Sequence, residues 1–530
     1  MIARYAPLAL IVASMALTRV AVLAADAVPF NSDEAIVALM ARDILAGERP
    51  AFFYGQAYLG STDAWLVASA FTLFGQTVLS IRVAQVALYC ATLVTTYFVA
   101  RRLGLSKPAS RLAALLMALP PVMLTLYTTA TLGGYGETLL LGNLLILIAH
   151  SIESAPSGRA RLLRWGLLGL CAGFAFWTFG LILVYLIPVS LWLLYRSRSS
   201  AWRGYLAAFA GFVVGSLPWW ASIGQLGGAL VGELAGLAIA STVAAPTVLE
   251  SLGVRLVDFF VFGATAWLGL RYPWSPEPVA PIAGLAVVAI YVAAFAHAAR
   301  RGPRLLWGMI GVLLLTYLLT PFGGDPSGRY FVPLYLPLSV FTAMFVERVR
   351  DRLADRLARR LSGVLAGLLV ALILGYNLAG SALAAARRPP GITTQFDSVT
   401  WIDHDRDQEL IDFLLARGET RGYTNYWVAY PIAFLSSERI MSAPRLPYHL
   451  DFRYTRRDDR IARYAEAAAE SPRAFYITTN HPPLDALIRD RLSALGVTFR
   501  EESIGSYHVF YALSRKVEPE ILGLGETTSR

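Results

Sequence analysis

The sequence is poor in charge, in lysine and in cysteine. Of its 530 residues only 15% are charged, against about a quarter in soluble globular proteins. With 56% hydrophobic residues and a mean hydropathy of +0.53, a water-soluble fold is excluded. Only Lys107 and Lys516 are lysines, so the net charge of +10 is carried almost wholly by arginine. Cys90 and Cys171 each lie inside an apolar run, which argues for small buried residues and against a disulfide or metal pair. There is no zinc-ligand spacing, no phosphate-cradling glycine loop, no low-complexity tract and no evident repeat. His404, His449, His481 and His508 fall late in the chain without metal-ligand spacing and read as surface or packing residues.

What is present is a series of apolar segments. The first, Pro7 to Ala25, is longer than a signal-peptide core and is followed by many more, so it reads as a retained membrane helix. Further candidate spans lie at about 79–100, 109–127, 135–150, 162–179, 181–195, 204–222, 279–298, 305–320, 329–346 and 362–385. The expectation is therefore about 11 transmembrane helices, with the chain ends on opposite sides. Alternate loops are basic, at 101–107, 159–164, 196–203, 300–304 and 348–360. The short intervening loops, near 128–134 and 321–328, carry no basic residue, and the longer ones at 26–78 and 223–278 carry few. The positive-inside rule then puts the basic loops and the N-terminus in the cytoplasm. It puts loop 26–78 and everything after about 386 outside. The basic excess thus reads as membrane orientation, with no nucleic-acid partner implied.

Two regions stand apart from the spans. Residues 388–530 are polar, with helices expected at 408–417 and 484–495 and strands at 474–478 and 507–513, so a C-terminal extracytoplasmic α/β domain is expected after a membrane domain of residues 1–387. The first external loop, 26–78, opens on Asn31-Ser32-Asp33-Glu34-Ala35. With Ser32 as N-cap, Ile36, Val37, Leu39, Met40, Ile44 and Leu45 recur at helical spacing, which predicts an amphipathic helix lying on the membrane surface. A second interfacial helix is expected at about 63–74. Asp33 and Glu34 are either an acidic site at the water-facing edge of the membrane or a complement to the helix dipole.

The acidic pair in a long first external loop, the many spans and the terminal external domain resemble the GT-C glycosyltransferases. The nearest branch is that of the protein O-mannosyltransferases and aminoarabinose transferases. Residues 31–35 match that branch's first-loop acidic motif, and Arg329-Tyr330-Phe331-Val332-Pro333 resembles its Arg-Tyr-x-x-Pro stretch. The pattern covers roughly residues 1–385. The fold implied is mostly α, a polytopic membrane bundle of GT-C type. The activity implied is inverting transfer of a sugar from a polyprenyl-phosphate donor to a glycan, lipid or protein acceptor on the external face of a bacterial inner membrane. Nucleotide sugars are not supplied there, in keeping with the missing nucleotide motif.

Such a displacement needs a base for the acceptor's proton and cations for the leaving phosphate. The resemblance makes Asp33 the candidate base. For Glu34 three roles stay open: sharing that role, binding the acceptor, or holding a metal. Arg329 is the candidate phosphate ligand, because its donor fork suits phosphate oxygens, and its alternative is an arginine snorkelling to the interface. Tyr54, Gln56, Tyr58 and Tyr330 are candidate substrate contacts, and the alternative for the three tyrosines is an aromatic belt at the membrane interface. Glu137, after Gly133-Gly134, is a candidate substrate or cation contact, since an acid at that depth is costly unless used or paired. No cofactor is required by these motifs; a divalent cation is compatible with them. The alternative function is a transporter or flippase for a lipid-linked glycan, which midplane polar groups and paired repeats would mark. A receptor or assembly protein anchored by the spans is a third, and eleven spans exceed what anchoring needs.

Overall fold

The computed structural model describes residues 2–156, 158–197, 201–222, 248–325, 327–355 and 359–525. Part of the loop expected at 223–278, and parts of the basic loops at 196–203 and 348–360, lie outside the described residues. The membrane part runs α1 (Ile2–Ala24), α2 (Ser32–Leu45), a short hairpin β1 (Phe52–Phe53) and β2 (Gln56–Gly60), α3 (Thr62–Phe74) and α4 (Val78–Arg102). It continues with α5 (Lys107–Ala118), α6 (Val122–Tyr127), α7 (Tyr135–Glu153), α8 (Arg159–Thr178), α9 (Leu183–Arg196) and α10 (Trp202–Gly215). Then follow α11 (Val248–Val257), α12 (Ala264–Trp267), α13 (Pro281–Arg301), α14 (Arg304–Leu319), α15 (Tyr335–Ala354) and α16 (Arg359–Ala385).

Six of these helical stretches are long and apolar enough to cross a membrane. Others are shorter or interrupted. The span expected at 109–127 is broken where Pro120 and Pro121 separate α5 from α6, because proline lacks the donor and clashes with the preceding turn. Three of the basic loops meet at one end of the bundle: Ser106 donates to Glu347, and one cavity there is lined by Gly104, Arg301 and Arg348.

Two expectations about the first loop are corrected. Asn31, not Ser32, caps α2, its side chain accepting from the Glu34 N–H at 3.1 Å. And α2 does not lie on a membrane surface. From Ala35 to Ala41 every residue is fully buried. One side meets α3, and the other is covered by the C-terminal part of the chain, where Phe434 packs on Phe30 and Phe71 and Arg42 lies 4.0 Å over its ring. Ala35, Ala38 and Ala41 let these elements approach closely on the face that periodicity alone assigned to solvent. By contrast α3 buries Val67, Ala68 and Phe71 and leaves Leu73 and Phe74 exposed.

Residues 388–525 form a small three-layer α/β unit. Strands β3 (Arg421–Thr424), β4 (Met441–Pro444), β5 (Phe475–Thr479), β6 (Arg500–Ile504) and β7 (Tyr507–Tyr511) pair in the order β4-β3-β5-β7-β6. Strands β4, β3 and β5 run parallel, and β7 pairs antiparallel with both β5 and β6. Helices α17 (Asp407–Ala416), α18 (Tyr426–Leu435), α19 (Ala462–Glu470) and α20 (Pro482–Ala494) flank it. Alternation along β5 sends Tyr476 to Leu484, Ile488 and Leu492 on one face, and Phe475 and Ile477 to Leu410, Leu414 and Ile432 on the other. This burial on both faces explains why Phe475, Tyr476 and Ile477 follow one another without a charged residue between them. The unit rests on the first loop: Arg388 pairs with Asp26 at 2.7 Å, the Ile392 N–H donates to Ala27 O at 2.7 Å, and Arg463 pairs with Asp43 at 3.0 Å.

Candidate active site

The Asn31 cap sets the first turn of α2, and successive side chains there diverge by about 100°. Ser32, Asp33 and Glu34 consequently face three ways. Ser32 Oγ donates to the Tyr426 carbonyl at 2.5 Å. Asp33 Oδ1 accepts from the Tyr426 hydroxyl at 2.5 Å and remains partly exposed. Glu34 turns into the bundle, fully buried, and pairs with Arg82 at 2.6 Å while accepting from the Thr131 N–H at 3.4 Å. Burial pushes the Glu34 carboxyl up to about 7, against the lowering pull of Arg82. Removing one partner of a buried ion pair leaves the other uncompensated, at about 3–5 kcal/mol. Glu34→Gln is therefore expected to lower stability by roughly that amount, read as a large fall in the unfolding midpoint in detergent. An unchanged midpoint would mean that Glu34 does not hold the loop.

Around Asp33 the fold gathers polar groups from distant parts of the chain. Tyr127, at the end of α6, lies within electrostatic reach of Arg329, Asp325, Asp33 and Tyr330. Arg329 opens the turn Arg329–Leu334, which leads into α15. Its side chain is 40% exposed, and its guanidinium pairs with Asp325 at 2.6 Å and donates to Tyr330 Oη at 3.3 Å. Tyr58, on β2, is in reach of Tyr330 on one side and of Arg460 on the other. Arg460 donates to Gly55 O at 2.9 Å and, with the Gln56 amide turned to satisfy both partners, to the Gln56 side-chain oxygen at 2.9 Å. Gly55 has φ +70°, and a Cβ there would stand 2.6 Å from Arg460 Cδ, so both the turn and the arginine require glycine.

Sequence reasoning missed Tyr426, Asp458 and Arg460. The trace of the last two is the run Arg456-Arg457-Asp458-Asp459-Arg460, which looks like a solvated loop. Asp458 is instead buried, which pushes its carboxyl up to about 7; Arg460 opposes the shift and Asp33 adds to it.

Other sequence candidates are placed elsewhere. The Tyr54 hydroxyl donates to Asp43 at 2.8 Å. Glu137 is buried and faces Asp63 and Gln85. Asp63 accepts from the Gly133 and Gly134 N–H groups at 3.0 and 2.9 Å. Both glycines have positive φ, which lets two successive amides point at one carboxylate. Among the described residues no three His, Cys, Asp or Glu side chains converge as a metal site would need.

Tyr58 and Tyr330 also line an apolar cavity of about 260 Å³, with Phe179, Leu183, Leu313 and Tyr317 among its other walls. At its far side Leu183 and Thr316 are exposed on the outer surface of the bundle. The arrangement is an apolar slot with an exposed side, whose walls Tyr58 and Tyr330 are also in electrostatic reach of Arg329, Asp325 and Arg460.

No family model matches the chain. The undecaprenyl phosphate-alpha-4-amino-4-deoxy-L-arabinose arabinosyl transferase of Pseudomonas aeruginosa is 33% identical over 179 residues, 32% of this chain and 31% of that protein. An enzyme of the same description from Pseudomonas fluorescens is 28% identical over 167 residues. These matches thus span about a third of the curated relatives' length. The crystal structure of ArnT from Cupriavidus metallidurans bound to undecaprenyl phosphate superposes with a TM-score of 0.57 at 13% identity, covering 90% of this chain and 93% of that one. Its apo structure gives 0.54. The chain therefore shares the overall fold of this ArnT structure, and about a third of its sequence is similar to the arabinosyl transferases.

Proposed function

We propose that this protein is a membrane glycosyltransferase that moves a sugar from a polyprenyl-phosphate donor to an acceptor at the external face of the membrane, with inversion. The observation that carries this reading is the double role of Tyr58 and Tyr330. They wall an apolar slot that opens sideways from the bundle, and they border a cluster holding Asp33, Arg329 and Arg460. A donor with an isoprenoid tail and a charged phosphate has this same polarity. The partial likeness to arabinosyl transferases agrees with it.

In the proposed reaction the tail occupies the slot and the phosphate meets Arg329, with Arg460 as a second cation nearby. Asp33 takes the proton of the acceptor hydroxyl as its oxygen attacks the anomeric carbon. The bond from that carbon to the phosphate oxygen breaks, and the polyprenyl phosphate leaves with its charge held by the guanidinium groups. Tyr426 acts as a positioning residue, its hydroxyl fixing the Asp33 carboxylate. Gln56, bonded to Arg460, orients that cation. No step is assigned to a cofactor. Loop 26–78 and residues 388–525 share one side of the membrane in this reading, since they touch through Asp26–Arg388 and Asp43–Arg463.

The direct test is transfer by the purified protein in proteoliposomes, offered polyprenyl-phosphate sugars and membrane acceptors. Free polyprenyl phosphate is expected to appear one for one with glycosylated acceptor. Sugar-lipid moved across the bilayer without cleavage would replace the transferase reading with the flippase.

A further inference from the structure

Helix α1 carries a single arginine within its apolar run from Pro7 onward. Arg19 is only 2% exposed. Its Nη2 donates to Thr128 Oγ1 at 2.9 Å, and its guanidinium lies 5.6 Å from the Tyr89 ring centroid. The Thr128 and Tyr89 hydroxyls each donate onward to backbone carbonyls, of Leu124 and Met117, so neither supplies a counter-charge. Arg19 Nε meets no acceptor, and among the described residues no carboxylate pairs with this guanidinium. A buried, uncompensated cation in a membrane helix is costly, and such residues are kept where they meet an opposite charge or a ligand.

A cavity of about 310 Å³ lies beside it, lined by Thr18 and Arg19 of α1, Thr125 of α6, and Leu378, Ser381 and Ala382 of α16. Room for it exists because Pro120-Pro121 interrupts the helix between α5 and α6. Leu378 and Ala382 are exposed, so the mouth is on the flank that α1 and α16 turn outward. Arg19 lies five residues from Ala24, about 7.5 Å from the helix end at 1.5 Å per residue, close to headgroup depth. None of these walls belongs to the slot lined by Tyr58 and Tyr330.

We propose that this cavity is a second lipid site, which binds the phosphate of an anionic membrane lipid with Arg19 as its counter-charge. The hydroxyl-bearing walls suit the headgroup, and the outward flank of α1 and α16 suits the start of the chains. The proposal does not depend on the transfer reaction. Two lipids share this chemistry, a bilayer phospholipid and a polyprenyl phosphate, and binding separates them.

The experiment is native mass spectrometry of the full-length protein, delipidated in neutral detergent and titrated separately with phosphatidylglycerol and with undecaprenyl phosphate. Arg19→Gln is expected to lose one bound lipid, with affinity at that site down at least about tenfold, as for a lost charge-assisted contact. Arg19→Lys should keep part of the binding. Loss confined to phosphatidylglycerol marks a bilayer-lipid site, and loss confined to undecaprenyl phosphate marks a carrier site. Ala382→Trp closes the mouth from an exposed position and should remove the same lipid even if Arg19→Gln folds poorly. Unchanged stoichiometry and affinity for both lipids in Ala382→Trp, or in a folded Arg19→Gln, overturns the proposal.

Discussion

Asp33→Asn is expected to lower sugar transfer by about 10²-fold or more, the usual range for loss of a general base. The substitution keeps the size of the side chain and its ability to accept from Tyr426, and removes the charge and the basicity. Donor binding should be nearly unchanged, because the assigned phosphate ligands are Arg329 and Arg460. Folding should also change little, since Asp33 is partly exposed and the cap of α2 is Asn31. Tyr426→Phe is the graded companion. It removes one hydrogen bond, worth about 0.5–1.5 kcal/mol, so kcat should fall by about two- to tenfold with KM for the donor unchanged. The assay is transfer of labelled sugar in membranes at matched expression. Normal transfer by Asp33→Asn with a lowered unfolding midpoint would make the acid a helix-terminal device and remove the main support for the enzyme.

Arg329→Ala should weaken donor binding and slow turnover together, by about 10²-fold in kcat if the guanidinium holds charge that develops on the leaving phosphate. Arg329→Lys should restore only part, because lysine keeps the charge and loses the planar fork. Asp325 sharpens the expectation. It pairs with Arg329 at 2.6 Å and so fixes the position of the guanidinium beside Tyr330. The readout is a polyprenyl-phosphate binding isotherm on purified protein, set beside the turnover rate. Unchanged affinity in Arg329→Ala would return this residue to the snorkelling class and leave Arg460 as the phosphate ligand to test.

The sequence carried the helical nature of the chain, the first-loop acids and the Arg-Tyr-x-x-Pro stretch, because each is local. Twenty apolar residues need no neighbour to prefer a membrane, and Asn-Ser-Asp-Glu before an apolar run starts a helix wherever it is put. Locality also explains the misreadings. Amphipathic periodicity in α2 showed one apolar face and said nothing about what would cover the other, and Phe434 with the rest of α18 lies nearly four hundred residues away. The strands β3 and β4 are only four residues each and β6 is mostly polar, and each is held by its neighbour in the sheet, β4 by β3, β3 by β5 and β6 by β7, so no local pattern announced them.

The division is clearest at the acidic pair. Adjacency in sequence made Asp33 and Glu34 look like partners, whereas helical geometry turns them apart. Only tertiary contacts decided that one meets Tyr426 at a partly open edge and the other meets Arg82 in the dry interior. The sequence by itself determined a membrane-embedded helical chain with a carboxylate and an arginine at candidate positions. Packing decided which carboxylate faces the opening, brought Arg460 from the C-terminal unit to Gly55, and placed an apolar slot beside them. Side-chain direction and desolvation are set by groups distant in the chain, and no local pattern encodes them.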